Sequence, residues 1–307
     1  MSRMDAKKIK VGTRGSALAL AQTEWVIARL KEKSPEAQFE IEIIKTKGDK
    51  ILDVALDKIG DKGLFVKEIE RELLSGAIDM AVHSMKDMPS ETPSGLMICK
   101  TPVREDPRDA LVLREGIGNL SELPPGAVIG TGSKRRECQL LSMRSDIKTT
   151  GIRGNIVTRL KKMSEQGMDG IMLAAAGLKR LGLEGRISQY MSLDSFLPAP
   201  AQGALAIQVR AGDSMLISLA ESISDNETCI QTMAERAFLE ASGGGCHMPI
   251  GAYCSIDGER LRLDGLLGRE DGSAAVRRSI EGKAGEESEL GRKLAQMMLK
   301  ELSGNEG

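Results

Sequence analysis

The sequence predicts an α/β chain of three domains: two similar lobes with mixed sheets, then a small α/β domain at the C-terminus. A strand–turn–helix pattern occurs twice, a glycine-to-glycine spacing recurs behind each copy, and short alternating strands between two helices close the chain.

The first copy is Lys10-Val11-Gly12-Thr13-Arg14-Gly15-Ser16, a strand running into a tight turn. Ser16 then caps a helix with Leu18, Ala21, Trp25 and Ala28 along its expected apolar face. The second copy is Val128-Ile129-Gly130-Thr131-Gly132-Ser133, and Ser133 caps a helix carrying Lys134, Arg135 and Arg136 in its first turn. Behind the first copy, Gly63 leads through a helical pattern to Gly76, then Asp79 and the buried-strand signal Met80-Ala81-Val82. Behind the second, Gly154 leads at the same spacing to Gly167, then Asp169 and Ile171-Met172-Leu173. Each closing glycine stands where a helix end needs a left-handed residue. The bland explanation is that βαβ units resemble one another; the shared spacing and end signals favour duplication.

The halves differ in a charged segment from Lys45 to Lys62, which reads as an exposed, mobile loop. Thr101 to Pro107 and Pro198 to Gly203 read as crossovers between lobes. The expected first lobe is therefore 1–103 with 203–222, the second 104–202, and the C-terminal domain 223–307. That last domain is expected to open on a helix around Thr232 to Ala241. It continues through strands such as Arg260–Asp264 and ends on an amphipathic helix from Glu287 to Leu302. Two lobes joined by two crossovers make a hinged cleft, with ligands beyond the strand ends near helix N-termini.

Of 307 residues, 41% are hydrophobic and 28% charged, which excludes a disordered chain. A net charge of −1 gives no global pull toward nucleic acid or membrane. An odd count of five cysteines points to reduced thiols in the cytoplasm, and the N-terminus lacks the apolar core of a leader. No metal site is expected, because neither CxxC nor HExxH spacing occurs. Aromatic residues at 2% speak against a base-stacking surface, and nothing demands more than a monomer.

Basic residues concentrate at the expected strand–helix junctions: Arg14, Lys86, Arg135, Arg136, Arg153 and Arg159. Backbone N–H groups and helix dipoles favour anions there, and guanidinium forks hold carboxylate or phosphate. A solvated surface arginine is the ordinary alternative and the better reading for Arg29 and Arg71. Asp87, just after a strand among cations, suits relay of a proton or stabilisation of a transient positive charge. A salt bridge is its ordinary alternative. His83 alone reads as a structural hydrogen-bonder. Cys246 follows Gly243-Gly244-Gly245, so its thiol sits on an accessible loop and is a competent nucleophile where cations lower its pKa. Cys99, Cys138 and Cys254 read as buried packing residues.

Taken together and in order, the motifs resemble the porphobilinogen deaminase (hydroxymethylbilane synthase) family. They are Thr13-Arg14-Gly15-Ser16-Ala17-Leu18, Gly63-Leu64-Phe65-Val66-Lys67-Glu68, Ala81-Val82-His83-Ser84-Met85-Lys86-Asp87 and Arg104-Glu105-Asp106-Pro107-Arg108-Asp109-Ala110. Gly130 to Arg136, Arg153-Gly154-Asn155, Ala176 to Gly182, Gln202-Gly203-Ala204 and Gly244-Gly245-Cys246 complete the series. The resemblance implies lobes like those of periplasmic binding proteins. It implies a dipyrromethane cofactor in thioether linkage to Cys246. It also implies that porphobilinogen loses ammonia to give an azafulvene-like electrophile. Four units then join head to tail into hydroxymethylbilane. It implies Asp87 as the catalytic residue. Arg14, Ser16, Lys86, Thr131, Ser133, Arg135, Arg136, Arg153, Gly154, Arg159 and Gln202 are implied to bind cofactor and substrate, with Lys62 and Phe65 as loop contacts. Three positions depart from the pattern: Gly132 replaces a serine, Lys134 an apolar residue, and His247 follows the cysteine where other side chains are usual. Two other readings compete. A non-catalytic two-lobed anion-binding protein explains the cations but not the Cys246 loop. A cysteine hydrolase needs a base, and His247 is a sequence neighbour with poor geometry for that role.

Overall fold

The computed structural model of the chain describes residues 8–46, 48, 66–243, 248–269 and 274–304. Residues 8–46, 66–104 and 204–229 form one compact unit; 105–203, 230–243, 248–269 and 274–304 form a second.

The first unit is built on strands β1 (Ile9–Thr13), β2 (Phe39–Ile43), β3 (Met80–Ser84), β4 (Leu96–Ile98) and β10 (Leu205–Arg210), in the order β2-β1-β3-β10-β4. β2, β1 and β3 run parallel, and β10 lies antiparallel between β3 and β4. Both faces of this sheet are covered, which explains the unbroken apolar runs of its central strands. Helix α1 (Ala17–Lys33) lays Val26, Ile27 and Leu30 on Val11, Val82 and Ile207. On the other face, α2 (Lys67–Ser75) packs Ile69 and Leu73 against Ile78 and Ala81. The expected face of α1 is displaced: Gln22, Thr23, Val26, Ile27 and Leu30 are buried, and Ala28 is exposed. The cause is local. Gln22 and Ser84 exchange hydrogen bonds at 2.9 and 3.2 Å, and the Thr23 hydroxyl donates to the Ala19 carbonyl at 2.9 Å. Two polar side chains with partners therefore occupy the buried stripe.

The second unit repeats the scheme with β5 (Asp109–Leu113), β6 (Val128–Gly130), β7 (Lys148–Thr150), β8 (Gly170–Ala174) and β9 (Gln189–Tyr190), ordered β7-β6-β8-β5-β9. Here β7, β6 and β8 are parallel, and β5 is antiparallel to β8 and β9. Helices α3 (Lys134–Met143) and α4 (Ile156–Glu165) cover its faces, with Leu140 in one core and Leu160 and Met163 in the other. The two sheets share a clasp. The Lys10 N–H donates to Asp79 Oδ2 at 3.0 Å while Arg210 Nη2 reaches Asp79 Oδ1 at 3.1 Å. At the matching place, the Val128 N–H donates to Asp169 Oδ2 at 2.8 Å and Arg114 Nε reaches Asp169 Oδ1 at 2.9 Å. Strand order, strand direction and this clasp make the two halves copies of one plan. Gly76 and Gly167 close their helices at φ 77° and 63°, in the left-handed region.

The second unit also holds a three-stranded antiparallel sheet of β11 (Ile250–Asp257), β12 (Arg260–Gly268) and β13 (Ala275–Lys283). Helices α7 (Asn226–Ala241) and α8 (Glu287–Gly304) pack Phe238, Leu294 and Met298 onto Cys254, Leu263 and Leu267. α7 begins earlier than the sequence led us to expect. Asp225 provides the reason, since its carboxylate accepts the Thr228 N–H at 2.8 Å and so caps the first turn. Two short helices, α5 (Ala175–Arg180) and α6 (Ser214–Glu221), are the remaining α-helices of the described residues. No helix among the described residues is long and apolar enough to cross a membrane.

Candidate anion and pyrrole site

In the first unit, β1 ends at Thr13 and α1 begins at Ala17, with a half-buried Arg14 between them. Ser16 caps α1, its hydroxyl oxygen accepting the Ala19 N–H at 3.3 Å. The paired Gln22 and Ser84 tie that helix to the end of β3. Beyond Ser84 the chain makes a single 3₁₀ turn, Met85–Asp87. Met85 is buried beneath it, Lys86 is half-buried, and Asp87 is exposed. The Asp87 carboxylate makes no hydrogen bond or ion pair with any described residue, so it is available to a ligand's N–H. His83, three residues into β3, is buried and bonded at 3.2 Å to the Gln208 side-chain oxygen. Gln208 in turn donates to Glu70 at 2.9 Å. Burial first, and then the nearby Arg14 guanidinium, push the His83 pKa down to about 4 against the opposing Gln208 bond. The imidazole is therefore neutral at physiological pH, in keeping with a structural hydrogen-bonder.

In the second unit, Thr131 is buried just past β6, Gly132 is exposed, and Ser133 caps α3 by accepting the Arg136 N–H at 3.5 Å. Lys134, one of the departures from the family pattern, faces outward and pairs with Glu137 at 3.4 Å. Arg135 and Arg136 are not open forks at a junction: their side chains are 5% and 8% exposed. Both guanidiniums lie on the carboxylate of Asp109, which is itself 0% exposed. Further donors go to the carbonyls of Leu197 (2.7 Å) and Met172 (3.0 Å). Burial alone would raise the Asp109 pKa, but the two guanidiniums outweigh it and hold the carboxyl well below the usual carboxylate range. Gln202, also fully buried, donates to Pro107 O at 2.9 Å and Asp109 Oδ1 at 3.1 Å.

The loop after β7 carries Arg153, half-buried and without a hydrogen bond or ion pair to any described residue. Gly154 follows at φ 114°, and a Cβ there would sit 2.7 Å from the Thr158 methyl. Arg159 lies inside the first turn of α4 rather than at its edge and folds back, Nε donating to Gly154 O at 2.8 Å. Asn155, not singled out from the sequence, caps this helix through the Thr158 N–H at 2.9 Å.

Thus Arg14, Ser16, Lys86 and Asp87 are carried by one unit, and Thr131, Ser133, Arg135, Arg136, Arg153, Gly154, Arg159 and Gln202 by the other. Cys246, His247, Lys62, Phe65 and nearly all of the charged segment leading to Lys62 lie outside the described residues. Burial pushes Cys99 up to about 12 and raises Cys138 and Cys229, while Cys254 is fully buried. Cys138 is partly exposed rather than a core residue as expected. Among the described residues no group of three His, Cys, Asp or Glu is placed to hold a metal ion. Asp109 is the residue that sequence reading missed. The signal for it was weak, because an aspartate opening a run of apolar strand residues reads as a strand boundary.

Comparison with known proteins fits this picture. Residues 9–218 match the family described as "Porphobilinogen deaminase, dipyromethane cofactor binding domain", and 229–300 match "Porphobilinogen deaminase, C-terminal domain". The porphobilinogen deaminase of Clostridioides difficile is 56% identical over 97% of this chain and 99% of its own length. That of Clostridium novyi is 51% identical over 96% of this chain and 100% of its own. Among solved structures, the probable amino-acid ABC transporter extracellular-binding protein YtmK of Bacillus subtilis is similar at a TM-score of 0.42. It shares 12% identity over 71% of this chain and 90% of that one. With both family domains matched in order and half or more of the residues shared along nearly the whole length, the chain belongs to the porphobilinogen deaminase family.

Proposed function

We propose that this chain, a transferase by its family, joins four porphobilinogen molecules head to tail with loss of ammonia into hydroxymethylbilane. It does so on a dipyrromethane primer held in thioether linkage by Cys246. The observation that carries the reading is the charge balance at the start of α3: two buried guanidiniums against one buried carboxylate. Uncompensated positive charge away from water is costly, and the helix N-terminus adds partial positive charge of its own. A ligand carboxylate relieves both, and the acetate and propionate arms of pyrroles supply one. The residues present therefore fit a dipyrromethane. When bound, that group supplies the pyrrole carbon to which incoming units are added.

The chain's own residues have distinct tasks in this reading. Arg14, Lys86, Arg153 and Arg159 offer cations to ligand carboxylates, and Arg153 does so with its donors unused by described neighbours. Ser16, Thr131, Ser133 and Gly154 add hydroxyl and backbone contacts at the two strand–helix turns. Gln202 steadies Asp109 beneath the arginine pair. Asp87 accepts a pyrrole N–H and offsets the positive charge that ammonia loss develops on the ring. Cys246 is the attachment point in this reading because it carries the Gly244-Gly245-Cys246 motif, while burial raises the pKa of Cys99, Cys138 and Cys229 and encloses Cys254.

We further propose three domains, with a first lobe of 1–103 and 203–222, a second of 104–202, and a C-terminal domain of 223–307. We also propose a monomer of the cytoplasm with neither nucleic acid nor membrane as partner; the net charge of −1 supports this last point. The non-catalytic anion-binding alternative is disfavoured by family membership. The test of the mechanism is Asp87→Ala. The variant should carry the same covalent adduct as the parent by intact mass, yet turn over porphobilinogen at least 100-fold more slowly. Near-normal turnover would remove Asp87 from the chemistry.

A further inference from the structure

Arg135 and Arg136 occupy the first turn of α3, where unpaired N–H groups concentrate partial positive charge. Withdrawing a guanidinium from water is costly, and two side by side repel as well. Among the described residues, the carboxylate that pairs with both is that of Asp109. Arg135 Nη1 meets its Oδ2, and Arg135 Nη2 approaches Oδ1 at 3.4 Å. Arg136 meets Oδ1 through Nε at 2.9 Å and Nη2 at 2.7 Å, and Gln202 Nε2 reaches the same oxygen at 3.1 Å. One oxygen thus gathers donors from three side chains, and the cluster keeps one net positive charge.

Gln202 is aimed by strained backbone. Ala201 has φ 58°, the only non-glycine residue with positive φ among the described residues, and it is fully buried. Such a conformation is strained and persists only where its surroundings enforce it. Here the Ala201 N–H donates to Glu235 Oε2 at 2.6 Å, and the other oxygen of Glu235 accepts the Cys254 N–H at 3.0 Å. Strain next to a buried amide that points at a buried carboxylate marks a geometry that is specified rather than incidental.

We infer that Asp109 is a positioning residue for the reaction: acting through Arg135 and Arg136, it fixes the direction and the single net charge with which they meet a substrate carboxylate. This rests on the proposed role of the arginine pair in binding. A merely structural ion pair would lower stability when broken and leave substrate affinity alone. A positioning role moves KM and the loading of the primer.

The test uses the holoenzyme forms of Asp109→Asn, Asp109→Glu and Arg136→Lys, each assayed well below its own melting temperature. KM and kcat for porphobilinogen are measured, together with the rate at which apo-protein gains the adduct mass on incubation with porphobilinogen. Asp109→Glu keeps the charge but shifts it by one methylene, so it remains decisive where Asp109→Asn does not fold. The expected result is a KM raised at least tenfold in Asp109→Asn and at least threefold in Asp109→Glu. In both, kcat of the loaded chain stays within threefold, and adduct gain is slowed. A KM within twofold of the parent in folded Asp109→Glu, while Arg136→Lys raises it, would overturn the positioning role and leave the arginine reading intact. A KM unchanged in Arg136→Lys would overturn the arginine reading and this inference with it.

Discussion

At the scale of single residues, environment decides what each charged group can do. Asp87 and Asp109 are both aspartates among cations in the sequence, yet one is exposed without a described partner and the other sits wholly beneath two guanidiniums. The exposed one is suited to meet substrate, and the buried one to hold other side chains. That distinction was not legible in the sequence, because which cation reaches which carboxylate is set by the β5–β8 pairing and by the return of the chain at Gln202. His83 gives a prediction at this scale. Unfolded, it titrates near 6.5; folded, at about 4. Above pH 6.5 both states are neutral and His83 contributes nothing to the pH dependence. As pH falls from 6.5 to 4, the unfolded chain takes up a proton that the folded chain resists, so stability is lost. The full loss is about 3 kcal/mol. Denaturant unfolding of His83→Gln should show the decline between pH 6.5 and 4 reduced by about that amount. A decline identical to the parent's would mean His83 is not buried as a neutral ring. Asp109, whose pKa is lowered, acts in a different window: its stabilisation is complete above about pH 4 and is lost only in stronger acid.

At the scale of elements, the sequence was most readable where a residue satisfies its own local backbone. Ser16 and Ser133 cap α1 and α3, and Gly76 and Gly167 end their helices, because each choice answers an orphan N–H or a left-handed φ within a few residues. The buried face of α1 was misplaced because Gln22 and Thr23 are buried by partners that periodicity cannot see. The close approach at Gly203 was likewise hidden. It sits at φ 92°, a Cβ there would lie 2.3 Å from Glu105 O, and its carbonyl accepts Arg180 Nη2 at 2.7 Å and the Glu105 N–H at 3.2 Å. Gly182 has a similar φ of 67° but nothing within 4 Å of its Cβ position. Gly203→Ala should therefore cost the backbone strain of about 1–3 kcal/mol and the clash besides, whereas Gly182→Ala should cost the strain alone. Thermal melts showing equal losses for the two would contradict the close packing of the 105 and 203 segments.

At the scale of the whole molecule, duplication was readable from two repeated motifs, and the structure extends it to five-strand sheets with matching order and direction. The antiparallel member of each sheet, β5 or β10, could not be assigned from local pattern. Each follows a crossover, and a strand's direction depends on where the chain comes from. Within each unit, cations stand at strand–helix turns and helix starts, where backbone N–H groups favour anions. The central claim is that this machinery works on pyrroles carried by Cys246. The most direct measurement is the intact mass of the purified protein before and after incubation with porphobilinogen, with peptide mapping around that residue. The account predicts a surplus equal to two linked pyrroles, carried on the peptide containing Cys246, either from the outset or after incubation. A chain that stays at its bare mass after incubation, or that bears the adduct on another residue, would contradict it.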